Sequence, residues 1–510
     1  MKKKGKVYII GAGPGDPGLL TLKAAQCLAE SDVVVYDFLV GREILRYAKE
    51  DARLIYVGKK GGCHTVPQDE LNRILVREAA EGNVVARLKG GDPFIFGRGG
   101  EEAQVLAGEG ISFEVIPGIT SAISVPAYAG IPLTHRDFTS TVAFVTGHED
   151  PTKDESRIDW KRIAGIETLV FLMGVKNLPQ IVKNLIDNGR IPGTPAALIR
   201  WGTTPDQRTI AGSLETIVSL AEEHAVTPPA IFVVGNVVGL RKELNWFETS
   251  PLFGKGVVIT RPEGQAAEFA DLLYREGVRV IYFPTITIVP PEDHDELDRA
   301  IENLESYRWV IFTSANGVRF FFNRLRERGR DIRDLKGIRI CTIGPATSAA
   351  LERRGITVDV VPRDFISEGV VEALKGQDMA GAKVLLPRAG EARDVIPAGL
   401  KELGADVDVV TVYRTVGSGR DGEELKKMID DGMVDVISFT SPSTVNNFVD
   451  IMGMDYRLPG TIKIACIGPV TGDAAEKAGF PVHIMQGPYV IAGLVEAMRE
   501  YFLKERHRGT

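Results

Sequence analysis

The sequence predicts an α/β protein with parallel-rich sheets that helices cover on both faces. Three observations predict this class: short β-branched runs alternate with longer amphipathic stretches, glycine-rich loops directly follow the apolar runs, and the second half repeats one α/β pattern twice. Continuous apolar strands joined by helical crossovers are typical of parallel sheets buried on both faces. At roughly 150 residues per domain, the 510 residues suggest about three domains.

The composition excludes several classes of protein. Lysine and arginine number 61, aspartate and glutamate 68, and the net charge is −7, so we expect neither nucleic acid nor a membrane as partner. The four cysteines stand far apart at Cys27, Cys63, Cys341 and Cys466, which excludes a disulfide scaffold and a clustered thiolate zinc site. We find neither a signal peptide nor an apolar run of about 18 residues. We therefore expect a cytoplasmic protein without a metal site.

A segment without periodicity divides the chain. Residues 245–255 (NWFETSPLFGK) break the strand and helix alternation with proline, glycine and serine, and a new apolar run, KGVVITRP, follows directly. We therefore predict one domain over residues 1–248 and a second over residues 254–505. The residues after the last repeat, which end in KERHRGT, are expected to form a solvated tail.

The second half contains an internal repeat. A shift of 127 residues places IFTSANGV (311–318) on SFTSPSTV (438–445), and a shift of 124 places IGPATSAALERRG (343–355) on IGPVTGDAAEKAG (467–479). The repeat predicts two similar lobes, and paired lobes commonly hold a ligand in the cleft between them. The alternative is a simple duplication in which these loops serve only as turns.

The first glycine loop matches a dinucleotide-binding pattern. GAGPGDPG (11–18) has the spacing GxGxxG after the first strand, and Asp37 ends the next strand, which together favour a nicotinamide-dependent dehydrogenase. Such a site binds pyrophosphate through backbone N–H groups at a helix N-terminus. Pro14 and Pro17 remove two of these donors, so the loop is better suited to close packing against a ligand.

Two further glycine-rich loops follow strands. They are RLKGGDPFIFGRGGEE (87–102) and PGITSAISVPAYAGIPLTHR (117–136), and in the second Thr120 and Ser121 are placed to cap the first turn of a helix. Three such loops provide many backbone contacts and few charges. This pattern favours a neutral or zwitterionic ligand with an adenine and an amino-acid end.

Six motifs of the first half occur in a fixed order: GAGPGDPGLLTLKA, VVVYD, VGK, RLKGGDPFIFGRGGEE, PGITSA and AGIPLTHR. Together they resemble the uroporphyrinogen-III C-methyltransferases of the tetrapyrrole methylase family. The resemblance implies a two-lobed α/β fold with S-adenosylmethionine, the methyl donor, in the cleft between the lobes. The residues it implies for cofactor binding are Pro14, Gly90, Gly91, Asp92, Ile95, Thr120, Ser121, Met173 and Gly202. Met173 is equally a candidate core residue.

Two residues carry the chemistry that this resemblance implies. Methyl transfer from a sulfonium to a pyrrole carbon requires in-line attack between closely held reactants, and the ring must then lose a proton. Asp37, at the end of its strand, is suited to act as the general base. Lys59 in VGK matches the family's proton donor. The alternatives are a strand-end aspartate that forms a turn and a lysine on the solvated surface.

The motifs of the second half are FTSANGV, TIGPAT, LPRAGEARDVIPAGL, VYRT, FTSPSTV and CIGPVT. They resemble uroporphyrinogen-III synthase, which implies a bilobed α/β fold whose lobes are joined by two chain crossings. Here the crossings would be TITIVPPEDH (285–294) and RTVGSGRDG (414–422). One lobe would contain residues 254–286 and 417–505, and the other residues 290–413.

The second resemblance also implies functional residues. Tyr413 in VYRT matches a tyrosine proposed to assist the loss of water. Hydroxyl groups and backbone N–H groups of the cleft loops, together with arginines that match carboxylates bidentately, would bind the substrate. These residues are Arg261, Thr347, Arg388, Ser441 and Thr471. The alternative for the serine and threonines is a role as turn residues.

We therefore expect a bifunctional enzyme of tetrapyrrole biosynthesis. Its second half would cyclise hydroxymethylbilane to uroporphyrinogen III with loss of water and without a cofactor. Its first half would transfer two methyl groups from S-adenosylmethionine to that product, giving precorrin-2, and would form a homodimer. The alternatives are a methyltransferase with a non-catalytic tetrapyrrole-binding module and the nicotinamide-dependent dehydrogenase.

Overall fold

The computed structural model describes residues 5–58, 66–147, 157–390 and 394–508. The strands of the first half are β1 (Lys6–Gly11), β2 (Val33–Tyr36), β3 (Arg53–Tyr56), β4 (Val84–Lys89), β5 (Ser112–Ile116), β6 (Val142–Thr146), β7 (Thr168–Leu172), β8 (Pro195–Arg200), β9 (Arg208–Ser213) and β10 (Ala230–Val234). Its helices are α1 (Leu22–Glu30), α2 (Gln68–Ala80), α3 (Gly99–Gly108), α4 (Ser121–Tyr128), α5 (Trp160–Ile163), α6 (Leu178–Asp187), α7 (Ile217–Glu223) and α8 (Arg241–Leu244).

The second half continues the alternation. Its strands are β11 (Gly256–Ile259), β12 (Arg279–Tyr282), β13 (Ile286–Val289), β14 (Trp309–Phe312), β15 (Arg339–Thr342), β16 (Lys383–Ala389), β17 (Asp406–Gly417), β18 (Val436–Phe439), β19 (Lys463–Cys466) and β20 (Val482–Ile484). Its helices are α9 (Glu263–Arg275), α10 (Asp295–Glu302), α11 (Ala315–Glu327), α12 (Pro345–Glu352), α13 (Ser367–Leu374), α14 (Val395–Glu402), α15 (Glu423–Asp430), α16 (Pro442–Met452), α17 (Pro469–Lys477) and α18 (Ile491–Arg508). Within the described ranges, every helix is too short or too polar to cross a bilayer.

The first half has two sheets, one for each lobe. The first sheet has the strand order β3-β2-β4-β1-β5 and is parallel throughout. Alternate residues of β1 enter two separate cores, since Val7 and Ile9 pack on one face and Tyr8 and Ile10 on the other. This is the two-sided burial that continuous apolar strands predict.

The second sheet differs from the parallel-rich sheet expected. Its order is β6-β7-β10-β8-β9. Of its neighbouring strand pairs, β6–β7 is parallel and the other three are antiparallel. The short connection 201–207 folds β8 and β9 into an antiparallel hairpin, because a connection of this length cannot carry the chain back to start a parallel strand. The apolar runs predicted the strands but not their direction.

The second half also has two sheets, and they confirm the α/β class and the bilobed repeat. One has the order β12-β11-β18-β19-β20 and the other β13-β17-β16-β14-β15. All strands of both sheets run parallel except β13, which pairs antiparallel with β17 so that Ile286 lies opposite Gly417. The two chain crossings therefore lie side by side as one two-stranded ribbon.

This ribbon fixes how the two lobes of the second half face each other. The chain leaves the carboxyl end of β12 at Tyr282 and enters β13 at Ile286, beside the carboxyl end of β17 at Gly417. The carboxyl edges of both sheets therefore meet at the crossing. Open α/β sheets bind ligands at this edge, so the cleft between the lobes is the place for a site.

The segment 245–255 is a packed bridge between the halves. The Glu248 carboxylate accepts hydrogen bonds from the side chains of Gln207, Thr209 and Arg241. Phe247 beside it is buried, and its ring lies 4.7 Å from that of Tyr128 between centroids. The proline, glycine and serine of this segment predicted a break between two domains. Its Phe247 and Glu248 side chains are anchored in the first half, while Ser250 and Leu252 contact the second half.

The second half closes over this bridge. Arg506, near the end of α18, donates hydrogen bonds of 2.8 Å to the backbone oxygens of Thr249 and Ser250. The expected solvated tail is helical up to residue 508: residues 503–508 are exposed, as expected, whereas Ala497, Met498 and Phe502 are buried. Ion pairs also join the halves, one of them between Arg46 and Asp271 at 2.7 Å.

The carboxylate of Glu248 generates a prediction about the bridge. Glu248→Gln should lower the free energy of unfolding of the first half by about 1.5–3 kcal/mol, the usual contribution of hydrogen bonds to a charged group. Urea unfolding followed by tryptophan fluorescence measures this. Glu243→Gln, at an exposed position of α8, is the matched control and should change little. Equal midpoints for the two variants would contradict the anchoring role.

Candidate active sites

Three loops of the first half meet through glycine backbone. A Cβ atom on Gly118 would lie 2.4 Å from the oxygen of Gly91 and 2.6 Å from Cα of Gly11. Gly13 and Gly91 exchange backbone hydrogen bonds of 3.2 and 2.7 Å. No side chain fits at such a crossing, so the loops predicted from their glycines form one continuous backbone surface.

In the first loop, N–H groups that would bind a dinucleotide already donate hydrogen bonds within the protein. The N–H of Gly13 donates to Gly91, that of Asp16 to Thr203 Oγ1 at 3.2 Å, and that of Gly18 to Asp16 Oδ1 at 2.7 Å. With two prolines in the same loop, few donors remain to bind a pyrophosphate. The geometry therefore disfavours the dehydrogenase alternative.

A cleft of about 970 Å³ opens between the two lobes of the first half. Every residue predicted to bind the cofactor lines it: Pro14, Gly90, Gly91, Asp92, Ile95, Thr120, Ser121, Met173 and Gly202. Asp37 lines the same cleft, while Lys59 lies outside the described residues. Tyr274 and Arg279 of the second half also line this cleft.

The Asp92 carboxylate is used within the loops. Its Oδ2 accepts a hydrogen bond from the N–H of Gly118 at 3.0 Å, and its Oδ1 accepts from the N–H groups of Phe94 and Ile95 at 2.8 and 3.2 Å. These contacts tie the second loop to the third. Asp92 therefore shapes the cleft through its side chain.

Met173 and Trp201 line the cleft in strained conformations. Their φ angles are 58° and 47°, in the left-handed region that side chains other than glycine rarely adopt. Met173 is 51% exposed, so the alternative that it is a core residue is wrong. The Trp201 ring lies 6.1 Å from that of Phe38, next to Asp37. Such strain persists where the surrounding structure holds it, commonly at binding sites.

Asp37 is held by a buried arginine. Its Oδ2 accepts a hydrogen bond from Arg87 Nη2 at 3.3 Å, and its Oδ1 accepts from the N–H of Leu39 at 3.1 Å. The Arg87 side chain is buried, whereas that of Asp37 remains partly accessible in the cleft. Oδ1 of Asp37 therefore makes the contact expected of a turn-forming aspartate, while Oδ2 is oriented by the Arg87 guanidinium.

Two further buried charges complete this network. Glu102 Oε1 accepts hydrogen bonds from Lys89 Nζ at 2.7 Å and from Arg87 Nε at 3.3 Å, and its Oε2 is buried without a partner among the described residues. Burial lowers the pKa of the Lys89 ammonium from its usual value. Arg87, Lys89 and Glu102 were missed from the sequence, although two charges at alternate positions of an apolar strand are a signal for buried polar chemistry.

In the second half, Tyr413 lies at the crossing ribbon. Its hydroxyl is 3.0 Å from Ser314 Oγ, and its ring stacks on Phe320 with 5.8 Å between centroids. Ser314 also caps α11 by accepting from the N–H of Gly317. This pair of hydroxyls lies at the carboxyl edge of its sheet, beside the cleft between the lobes.

The other predicted residues of the second half lie at the carboxyl end of a strand or in the segment that follows one. Arg388 pairs with Asp394 at 2.7 Å, Arg261 donates to Gln265, and Ser441 Oγ caps α16. The side chains of Thr347 and Thr471 are only 3% and 4% exposed. In this conformation the two threonines occupy the first turns of α12 and α17, as the turn alternative expects.

Comparisons with known proteins decide the family. One family model, Tetrapyrrole (Corrin/Porphyrin) Methylases, matches residues 6–218, and another, Uroporphyrinogen-III synthase HemD, matches residues 267–496. The chain is 38% identical to "Porphyrin biosynthesis protein HemD" of Ruminiclostridium josui, over 93% of this chain and 94% of that protein.

The chain belongs to the tetrapyrrole methylases and, through its second half, to the HemD uroporphyrinogen-III synthases. Its methylase half is 57% identical to an S-adenosyl-L-methionine-dependent uroporphyrinogen III methyltransferase of Methanosarcina barkeri, over 46% of this chain and 93% of the relative. A solved uroporphyrin-III C-methyl transferase from Thermus thermophilus with S-adenyl homocysteine is 42% identical, covers 46% of this chain and 100% of that one, and has a TM-score of 0.40. The predicted families, the pairing of two enzyme activities and the cofactor are confirmed.

The cleft of the methylase half fits S-adenosylmethionine. Its floor consists of backbone at Gly90 and Gly91, where a side chain on Gly90 would meet Leu39 at 2.6 Å. Exposed apolar groups, among them Met173 and Ile95, line the rest. Backbone amides suit adenine and an amino-acid end.

The glycine crossing generates a prediction. Gly118→Ala should destabilise the methylase half by about 1–3 kcal/mol through overpacking and should weaken S-adenosylmethionine binding. Gly100→Ala is the matched control, because a Cβ there meets nothing within 4 Å, and alanine in a helix should be slightly stabilising. Calorimetric titration and urea unfolding measure both effects. Unchanged affinity and stability in Gly118→Ala would rule out the crossing as a constraint.

Proposed function

We propose that the two halves act in succession on one tetrapyrrole. The synthase half cyclises hydroxymethylbilane to uroporphyrinogen III, and the methylase half transfers two methyl groups to that product, giving precorrin-2. The observation that supports this proposal is that one chain belongs to both families, with Tyr274 and Arg279 of the synthase half among the residues that line the methylase cleft. The product of one half is the substrate of the other.

In the methylase half, we assign the proton transfer to Asp37. S-adenosylmethionine supplies a methyl group bound to a sulfonium sulfur, and a new bond to a pyrrole carbon forms as the carbon–sulfur bond breaks. The ring then loses a proton to restore its electrons, and the oriented carboxylate of Asp37 is the base. Arg87 keeps that carboxylate turned toward the cleft. Lys59 is the proposed proton donor.

The role of Asp37 predicts a separation of rate from affinity. Asp37→Asn should lower kcat for methylation by about 10²–10⁴-fold, the usual contribution of general acid–base catalysis. The Kd for S-adenosylmethionine should change little, because the variant removes a base and not a binding surface. Asp51→Asn, at an exposed position, is the control. Normal turnover of uroporphyrinogen III by Asp37→Asn would eliminate the role.

In the synthase half, the reaction starts with the loss of water. The pyrrole nitrogen pushes out the terminal hydroxyl, so the carbon–oxygen bond breaks and a cationic azafulvene remains. Closure of the macrocycle forms a carbon–carbon bond with inversion of the last ring, and a proton is lost. The Tyr413 hydroxyl, paired with Ser314, is suited to donate a hydrogen bond to the leaving oxygen. Arg261, Arg388, Ser441 and the first turns that hold Thr347 and Thr471 are proposed to bind the substrate carboxylates.

Tyr413→Phe tests this assignment. Cyclisation should slow by about 10²-fold, the low end of general acid assistance, because the pyrrole nitrogen of the substrate already promotes loss of the hydroxyl. Methylation of supplied uroporphyrinogen III should be intact. Tyr307→Phe is the control, since Tyr307 is another buried tyrosine of the same lobe that donates to Asp408 at 2.6 Å. Wild-type cyclisation rate and isomer purity in Tyr413→Phe would remove its catalytic role.

A homodimer through the methylase half and a cytoplasmic location are part of the proposal. A dimer would cover apolar side chains that this half leaves exposed, among them Phe138 and Phe144. Of the cysteines in the described residues, Cys27, Cys341 and Cys466 are buried as free thiols, which suits a reducing compartment.

A further inference from the structure

The two lobes of the synthase half present the same turn at equivalent positions. In one lobe Phe365 and Ile366 precede α13, and in the other Tyr489 and Val490 precede α18. The residues are separated by 124 positions, the shift that also relates the two IGPxT loops. Each lobe therefore carries one aromatic residue followed by one β-branched residue at the same place.

The two turns have the same backbone geometry. The N–H of Ile366 donates to the oxygen of Asp364 at 2.8 Å, and that of Val490 donates to Pro488 at 2.8 Å. Farther along each turn a glycine is required, because a Cβ on Gly369 would lie 2.1 Å from the Asp364 oxygen. The equivalent distance for Gly493, to the Pro488 oxygen, is also 2.1 Å.

Each aromatic ring also contacts the glycine that starts the neighbouring IGPxT helix. A Cβ on Gly344 would lie 3.3 Å from Phe365, and one on Gly468 would lie 3.3 Å from Tyr489. Gly344 follows β15 and Gly468 follows β19. The two rings therefore stand at the carboxyl edges of the two sheets, which face each other at the crossing ribbon.

These side chains are exposed to the same degree. Phe365 and Tyr489 are each 58% exposed, and Ile366 and Val490 are 52% and 51% exposed. Their successors in each helix, Val370 and Leu494, are buried in the ordinary way. Leaving two large apolar side chains in water in both copies of a repeat forgoes burial energy, and clustered exposed apolar groups mark binding surfaces.

The charges at the same edges indicate what binds there. Arg261 follows β11, Arg388 is the penultimate residue of β16, and Arg414 lies on the crossing strand β17. Acidic partners accompany two of them, Asp394 with Arg388 and Glu292 with Arg414. Arginines at the carboxyl edges of both sheets, the edges that also carry the two exposed apolar pairs, match a chain of planar rings that carry carboxylates.

We propose that Phe365–Ile366 and Tyr489–Val490 are paired platforms, one in each lobe, that hold pyrrole rings of the linear tetrapyrrole. The inference rests on the proposed synthase function. A pyrrole ring stacks on an aromatic ring and an adjacent β-branched side chain, while its carboxylates extend to the arginines and the first turns of α12 and α17. Because the platforms belong to different lobes, they hold different rings of one chain and bring its two ends together for closure.

Steady-state kinetics of the full chain with hydroxymethylbilane tests this. Phe365→Ala and Tyr489→Ala should each raise KM about tenfold, the cost of losing one stacked ring, with a smaller change in kcat. Tyr489→Phe should retain the wild-type KM, because it keeps the ring and removes only the hydroxyl. Methylation of supplied uroporphyrinogen III by the same preparations should be unchanged, which shows that the variants are folded.

Two exposed apolar residues on the same lobes are matched controls. Met454 precedes β19 and Ile332 precedes β15, so both lie away from the carboxyl edges. Met454→Ala and Ile332→Ala should leave KM unchanged. The platforms are overturned if Phe365→Ala and Tyr489→Ala behave like these controls while the wild type cyclises its substrate. If the wild type itself does not cyclise hydroxymethylbilane, the proposed function fails instead.

Discussion

The contact of three backbone segments at Gly11, Gly91 and Gly118 is the constraint on which the methylase cleft depends. A Cβ on Gly11 or Gly118 would lie less than 3 Å from backbone atoms of the neighbouring loops, and Gly91 has a φ of 70°, so glycine at these positions allows the loops after β1, β4 and β5 to meet. The Asp92 carboxylate then ties the second loop to the third. The result is a rigid surface of backbone amides, on which a ligand is recognised by shape and hydrogen bonding. β2 pairs in parallel with β4, so Asp37, directly after β2, lies at the side of the same cleft.

In the synthase half, the cleft depends on the strand topology, whereas in the methylase half it depends on the close contact of glycines. The antiparallel pairing of β13 with β17 turns one parallel sheet toward the other, so that two carboxyl edges share one cleft. The duplicated loops then face each other, so that the exposed apolar pairs of the two lobes lie at one cleft. Tyr413 and Ser314 lie beside this ribbon, at the junction of the two lobes.

The sequence predicted those features that depend on local pattern. Apolar runs predicted the strands, and glycines and prolines predicted the loops. The residues that their motifs predicted to bind the cofactor all line one cleft. What it did not predict depends on contacts between distant segments. The charges of Arg87 and Lys89 form a site only because Glu102 of α3 lies between them. The left-handed backbone of Trp201 and the docking of Arg506 on the bridge have no signature in the order of residues.

The central claim is that one chain makes uroporphyrinogen III and then methylates it. The most direct measurement is incubation of the purified chain with hydroxymethylbilane, with and without S-adenosylmethionine, followed by isomer separation and mass analysis. Without the methyl donor the product should be uroporphyrinogen III, and with it the same macrocycle should carry two added methyl groups. Formation of the uninverted isomer alone, or of uroporphyrinogen III that gains no methyl group when the donor is present, would contradict the account.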